Sequence, residues 1–449
     1  LNSHRWFWGV FVVFLLSSLV SPFFQGLAGW LPGVFYIFYD TFLLSYVTAA
    51  TVKTIRRGTP LPAGEASPLS LSVLIAARNE RAVIHSCIER ILPQLRPEDE
   101  LWIVNDGSTD GSFEDLVVRY DLQVNDSEAV SRNRPRLHVV DKPHSGKAHS
   151  LNLIWPKAAG DVLVTVDADT WLEPQALQPF REAFARDAKL AAACGILAPV
   201  VHPSGFARVF EMFQQFEYIR AFLARVAWMQ TNSLLLVSGA FAAYRKSVLQ
   251  KIGGYSASSL VEDYDLIHRL HRYSWDHGLG WKVHVLSQAR AATDVPSSLF
   301  RFLKQRQRWF AGFLQTQFQN FDLVGNPAYG PLGKFMLPIK AVDMLQPLFG
   351  LAAVAILILT LSSGKWPDRP VLVLIATKLT IDLFFHFWSV ALYHSWQGRT
   401  VPTRVWARSA LATIFEPVSF QLLRHLGALL GWVAFLRGKH EWIPQRRLP

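Results

Sequence analysis

The chain predicts an α/β domain inserted between α-helical transmembrane segments, and three observations carry that expectation. Apolar residues gather into five long blocks near the two ends. The middle alternates short β-branched runs with amphipathic stretches, and polar clusters rich in Asp, Asn and Glu follow several of those runs. With 51% apolar residues, 31 Phe and 16 Trp against only 18% charged residues, the composition is that of a membrane protein rather than a soluble one.

The apolar blocks are 6–24, 30–50, 339–361, 371–393 and 410–436, each long enough for the roughly 20-residue helix that crosses a bilayer. A cleaved leader is the alternative for the first block. Its aromatics and the second block that follows at once favour a spanning hairpin over 1–57. Lys53, Arg56 and Arg57 follow the second block and place that end, and with it the N-terminus, in the cytoplasm. The charge-balanced loop 362–369 reads as outside, and Arg399, Arg404 and Arg408 as inside. The basic tail from Arg437 to Arg447 again reads as inside. Glu416, Pro417 and Arg424 interrupt the last block, which is therefore expected to be a kinked hairpin or re-entrant pair. The expected location is a multi-pass place in the plasma (bacterial inner) membrane with the middle domain cytoplasmic.

A net charge of +11 points to anionic lipid headgroups as partners rather than to nucleic acid. Cys87 and Cys194 lack any zinc spacing and are expected buried and reduced.

Within 58–294, the runs 71–77, 101–105, 137–141 and 161–166 read as buried strands, and helical spacing fills the stretches between them. That is an open α/β sheet, in which ligands bind at the carboxyl ends of the strands. Arg78-Asn79-Glu80 follows the first run, Asn105-Asp106-Gly107-Ser108-Thr109-Asp110 the second and Asp167-Ala168-Asp169 the fourth. Singly, each could be a turn or a helix cap. Together after strands they read as one site.

Asp167 and Asp169, two residues apart at a strand end, can offer oxygens to one hard cation, Mg²⁺ or Mn²⁺, whose shell diphosphate and water would complete. Lys147 follows Gly146 at the start of a helical stretch, where amides and a cation could meet phosphate; an ordinary surface lysine is the alternative. Glu262-Asp263-Tyr264-Asp265 opens another helical stretch. It is either an N-terminal cap or the source of a general base. His268 and His271 at i, i+3 are expected on a polar helix face, with metal binding as the alternative.

Taken together, these residues resemble the membrane-integrated branch of glycosyltransferase family 2, the group of hyaluronan, chitin, cellulose and poly-N-acetylglucosamine synthases. The resemblance covers about 70–314. It runs in family order through Asn79-Glu80, Asn105-Asp106-Gly107-Ser108, Gly146-Lys147-Ala148 with Leu151-Asn152, Asp167-Ala168-Asp169, Gly239-Ala240-Phe241, Glu262-Asp263 and Gln305 with Arg308-Trp309. It implies a GT-A-type domain and a metal-dependent inverting transfer from a nucleotide-diphosphate sugar, with Glu80, Asn105, Asp106 and Lys147 at the nucleotide. Asp167 would lie near ribose and diphosphate, Asp169 on the metal, and Asp263, beside Glu262, would be the base. Gln305, Arg308 and Trp309 would close over diphosphate and acceptor. Asn105 stands where the family usually has aspartate, which puts the preference for a UDP donor in doubt; Val261 replaces a common threonine.

Leu299, Phe302, Leu303, Phe310, Phe313, Leu314, Phe318 and Phe321 recur at three- and four-residue steps among basic residues over 295–335. Either a helix in the headgroup plane or packing against the α/β domain explains that stripe. A C-terminal transmembrane region then occupies 336–449. The functional expectation is a processive synthase that transfers a hexose or N-acetylhexosamine to a growing β-linked glycan and passes it across the membrane, with accessory export subunits as possible partners. The alternatives are transfer of one sugar to a lipid or lipid-linked acceptor, and a non-catalytic scaffold or export component.

Overall fold

The structure, a computed structural model, describes residues 3–57, 69–201 and 207–438. The basic tail from 439 onward, assigned above to the cytoplasmic side, lies outside the described residues. The chain divides into two compact units. Described residues up to 57, with 207–233 and 296–438, form a helical unit; 69–201 and 234–295 form an α/β unit.

The strands are β1 (Leu71–Ala77), β2 (Glu100–Asp106), β3 (Leu122–Asn125), β4 (Glu128–Ser131) and β5 (Leu137–Lys142). They continue with β6 (Val162–Val166), β7 (Thr170–Leu172), β8 (Leu190–Val200), β9 (Phe241–Arg245) and β10 (Lys282–Asp294). The helices begin with α1 (Ser3–Val20), α2 (Leu31–Arg57), α3 (Ile84–Ile91), α4 (Ser112–Arg119) and α5 (Lys147–Ile154). Next come α6 (Gln178–Arg186), α7 (Ala207–Met229), α8 (Lys246–Ile252), α9 (Glu262–Asp276) and α10 (Leu299–Gln319). The last are α11 (Leu337–Asp343), α12 (Gln346–Ser362), α13 (Arg369–Trp396), α14 (Thr403–Phe415) and α15 (Phe420–Leu436).

In the α/β unit one ten-stranded mixed sheet has the order β3-β4-β5-β2-β1-β6-β9-β8-β10-β7. Leu71, Val73, Leu74 and Ile75 of β1 are fully buried, as a central strand covered on both faces demands. β1 runs parallel to β2 and β6, and β2 parallel to β5. Ala77 pairs with Asn105, and Asn105 with Asp141. The carboxyl ends of these strands therefore line one edge of the sheet, and the expected polar clusters follow them there. The four strands read from the sequence all form, within a residue or so of their expected ends.

His268 and His271 are a correction. They sit in the core, 1% and 0% exposed, rather than on a polar face. His268 Nδ1 donates to Tyr264 O at 2.9 Å and His271 Nε2 to Leu234 O at 2.9 Å. Burial pushes their pKa values down to about 3 and about 4, so both are neutral packing groups. Both cysteines are buried and outside any disulfide.

Among the described residues, the helical unit has three helices long and apolar enough to cross a membrane, Ala28–Val52, Leu332–Ser362 and Arg369–Trp396. A fourth is present if Thr403–Val418 and Phe420–Leu436, which meet at 47°, form one broken span. That bend falls beside Glu416 and Pro417. Among the described residues, the apolar part of the first helix, Trp8–Phe23, is shorter than a crossing.

Part of the Phe stripe of α10 packs inside the helical unit. Phe302 is fully buried in a cluster with Phe210, Phe213 and Phe420. Farther along, Phe318 stacks on Phe435 at 5.2 Å between centroids. Gly427 and Gly431 let α10 and α15 approach closely: a Cβ on Gly427 would lie 2.5 Å from Arg306 Cβ, and one on Gly431 2.7 Å from Phe310 Cβ. Two small residues four apart matched to two larger ones four apart is how helices in lipid pack when burial from water supplies little drive.

Candidate active site

The first two strand-end loops are tied to each other. Thr109 N–H donates to Asn79 Oδ1 at 2.8 Å, and Asn79 N–H to Ser108 Oγ at 2.9 Å. Asn79 takes a left-handed backbone (φ 56°), which asparagine tolerates better than most residues. Glu80 follows in the same turn, its carbonyl accepting the N–H of Val83 at 3.0 Å.

Asn105 and Asp106 close β2 and are both 3% exposed. Asn105 Nδ2 donates to Asp141 Oδ1 at 2.6 Å. The Asp106 carboxylate accepts from Ser145 N and Gly146 N, each at 2.9 Å, from His144 Nδ1 at 2.8 Å and from Lys142 Nζ. Burial opposes its ionisation, but the Lys142 ammonium and these other donors hold its carboxyl below the ordinary range. Asp106 thus secures the turn that delivers Lys147. Gly107 is required beside it: φ is 66°, and a Cβ would lie 2.6 Å from His144 N.

Lys147 opens α5, and its Nζ reaches Asp167 Oδ1 at 2.5 Å and Glu262 Oε1 at 3.3 Å. This is not an ordinary surface lysine. Burial works against its charge, yet Asp167, Glu262 and Asp263 outweigh burial and hold the ammonium above the usual lysine value.

Asp263 lies in the first turn of α9. Its Oδ2 accepts the Gly239 N–H at 2.7 Å and its Oδ1 the Tyr264 N–H at 2.8 Å. Burial and the neighbouring Glu262 carboxylate raise its pKa to about 6, while the Gly239 N–H and Lys147 pull the other way. A carboxyl poised near neutrality has the proton affinity that general-base work requires. The structure thus brings Lys147, Asp167, Glu262 and Asp263 into one cluster.

Asp167 and Asp169 flank the turn between β6 and β7. That turn is pinned by Asp167 N–H to Ala240 O at 3.2 Å, Thr170 N–H to Asp167 O at 2.9 Å and Asp294 N–H to Asp169 O at 3.1 Å. The Asp167 side chain is 34% exposed. Among the described residues, no three His, Cys, Asp or Glu side chains group as a metal cage. Two hard carboxylates on a fixed turn fit a divalent cation that takes its remaining ligands from substrate phosphate and water.

Gln305, Arg308 and Trp309 stand on α10 in the helical unit. The Arg306 guanidinium lies over the Trp309 ring, 4.6 Å from its centroid, and forks onto Glu217 at 2.6 and 2.8 Å. Gln305 Oε1 is buried without a partner among the described residues. The sequence reading missed Lys142, His144 and the Gly239 amide, since a cation after a strand or a backbone N–H carries no signature until its acceptor is placed. It also missed Asp40, Glu217, Lys378 and Asp382, whose signal was present: charges inside or beside apolar helices.

The mixed sheet with a polar cluster at its carboxyl edge is a GT-A-type arrangement. Residues 72–253 match the model of glycosyl transferase family 2.

Among curated proteins, the poly-beta-1,6-N-acetyl-D-glucosamine synthase of Staphylococcus epidermidis is 24% identical over 296 residues, 64% of this chain and 66% of that protein. The hyaluronan synthase of Streptococcus pyogenes is 29% identical over 259 residues, 56% of this chain and 59% of that protein. The match to each thus spans slightly less than two thirds of the relative's length. In fold, the chain is similar to the mannosyltransferase PcManGT from Pyrobaculum calidifontis, solved in complex with GDP-Man and Mn2+. The TM-score is 0.58 at 18% identity, covering 90% of this chain and 99% of that one.

Proposed function

We infer that the protein is an inverting glycosyltransferase that moves a hexose or N-acetylhexosamine from a nucleotide-diphosphate sugar, UDP-linked on the family pattern, onto a growing β-linked glycan at a membrane. The observation that carries this reading is the Asp263 carboxyl, raised to about 6 and held by the Gly239 amide beside Lys147, Asp167 and Glu262. The names of the two synthases similar to this chain, each a maker of a polysaccharide, support the glycan as product.

Asp263 takes the proton from the acceptor hydroxyl as that oxygen bonds to the anomeric carbon. The bond from that carbon to the diphosphate oxygen breaks on the opposite face, so an α-linked donor gives a β-linkage and a nucleoside diphosphate leaves. Lys147 answers diphosphate charge, and Glu262 and Asp167 keep that lysine ionised and in place. Asp106 positions the turn before it, with Asn79, Glu80 and Asn105 on the nucleotide side. Asp167 and Asp169 would hold a Mg²⁺ or Mn²⁺, which supplies Lewis-acid stabilisation of the leaving diphosphate when bound. From the sequence motif alone, Arg308 is assigned to leaving-group charge, Gln305 to the diphosphate and Trp309 to an acceptor sugar ring. We place the α/β unit in the cytoplasm on the basic residues flanking the apolar blocks.

The test is nucleotide release from glucose, N-acetylglucosamine and glucuronic acid donors by the purified full chain in lipid. One donor should stand out, and Asp169→Asn and Asp263→Asn should each silence it. Unchanged transfer in both variants would overturn the roles given to Asp169 and Asp263, and no release from any donor would leave a scaffold.

A further inference from the structure

Two cavities in the helical unit share part of their wall; one lining is almost wholly apolar and the other mixes charged and apolar side chains. The larger, about 580 Å³, is apolar and lies between α1, α2 and α12, where Val10, Val13, Phe35 and Phe349 line it. The other, about 390 Å³, is lined by charged, amide and histidine side chains of α2, α7, α10, α11, α12, α13 and α15 and of the turn at Glu416, with the Trp309 indole and apolar residues such as Leu43 and Phe313 among them. Both volumes lie within the roughly 300–1,000 Å³ of small-molecule sites. Tyr36 and Gln346 belong to both linings. At the same boundary, the Tyr39 hydroxyl, on the apolar side, donates to Asp343 of the polar side at 2.6 Å.

The polar cavity is electrically balanced. Glu217 forks onto Arg306; Glu416 meets Arg220, and Arg424 at 2.8 Å. Lys378 answers both Asp40, at 2.7 Å, and Asp382, and Lys340 answers Asp343 at 2.6 Å. Each carboxylate lining the cavity therefore meets a cation, Asp40 and Asp382 sharing Lys378 and Glu416 meeting both Arg220 and Arg424. A charged headgroup would have to displace one of these pairs, leaving its partner ionised and unpaired at a cost of several kcal/mol. A neutral, polyhydroxylated headgroup can instead accept from guanidinium N–H groups, donate to carboxylates and lie against an indole face, the two surfaces of a sugar ring. The adjoining apolar groove asks for an alkyl chain.

We propose that the helical unit binds a sugar-headed lipid, its neutral sugar in the polar cavity and an alkyl chain in the groove between α1, α2 and α12. Such a lipid is a ready first acceptor for the transferase, which deepens the reading above; binding itself needs no nucleotide sugar and stands or falls separately.

The experiment is native mass spectrometry of the full chain offered glucosyl-diacylglycerol, phosphatidylglycerol and diacylglycerol of the same acyl chains, and a soluble glucose oligosaccharide. Glucosyl-diacylglycerol should be retained at least about tenfold better than either other lipid. Val13→Trp, at a position 41% exposed, should abolish that retention by filling the groove while leaving thermal stability unchanged. Gly9→Phe is the second groove variant, since a Cβ there meets nothing within 4 Å. Equal retention of all three lipids, or retention indifferent to both variants, overturns the proposal. Binding of the free oligosaccharide as strong as that of the glycolipid also overturns it, leaving a sugar site without a lipid site.

Discussion

Asp263 shows how much of the chemistry is set by neighbours rather than by the residue. A free aspartate, with a pKa near 3.8, is a poor proton acceptor at neutral pH; burial and Glu262 lift this one to about 6. Because the folded value is raised, the base is ionised and competent above about pH 6, and kcat/KM should fall as pH drops through that value. Asp263→Asn should lower turnover by about 10²–10⁴-fold with donor affinity retained. Lys147 pulls in the opposite direction, so Lys147→Met should move the acid limb of the pH profile to higher pH, a shift that simple loss of phosphate binding does not produce. The types and order of these residues were legible in the sequence. The partners of Asp106 were not: its carboxylate accepts from donors at 142–146, which carried no signature in the sequence. His268 and His271 were misplaced for a related reason, since the neighbouring arginines suggested a polar face while the two rings are buried and bond to the Tyr264 and Leu234 carbonyls.

At the scale of elements, the parallel central strands were readable because strands buried on both faces leave unbroken β-branched runs. β10, thirteen residues of alternating burial, was not read from the sequence because Gln288 and Arg290 stand among short alanines rather than in a β-branched run. β8 is alanine-rich and had little periodicity to read. The α10 stripe shows the limit of amphipathicity: the spacing identified a helix and its apolar face but not the partner, which is fixed by two glycines more than a hundred residues away. Gly431→Leu should force α10 off α15 and destabilise the helical unit by about 1–3 kcal/mol, read as a lower Tm of the detergent-purified protein. An alanine at a solvent-facing position such as Lys365 should leave Tm in place.

For the whole molecule, hydropathy located the membrane helices, and Ala28–Val52, Leu332–Ser362 and Arg369–Trp396 answer to three of the five apolar blocks. Hydropathy averages could not show that charges from distant helices, Asp40, Lys378, Glu416 and Arg220, would pair into balanced networks. The two strand-end carboxylates carry a further expectation. Chelation of divalent ions should abolish transfer, Mg²⁺ or Mn²⁺ should restore it, and neither should rescue Asp169→Asn.

The most direct test is to supply the purified protein in lipid with the preferred labelled α-linked donor and determine both the anomeric configuration and the size of the product. A β-linked, high-mass glycan, absent with Asp263→Asn, is the expected result. An α-linkage would contradict inversion through Asp263, and a single discrete glycolipid band would contradict chain extension.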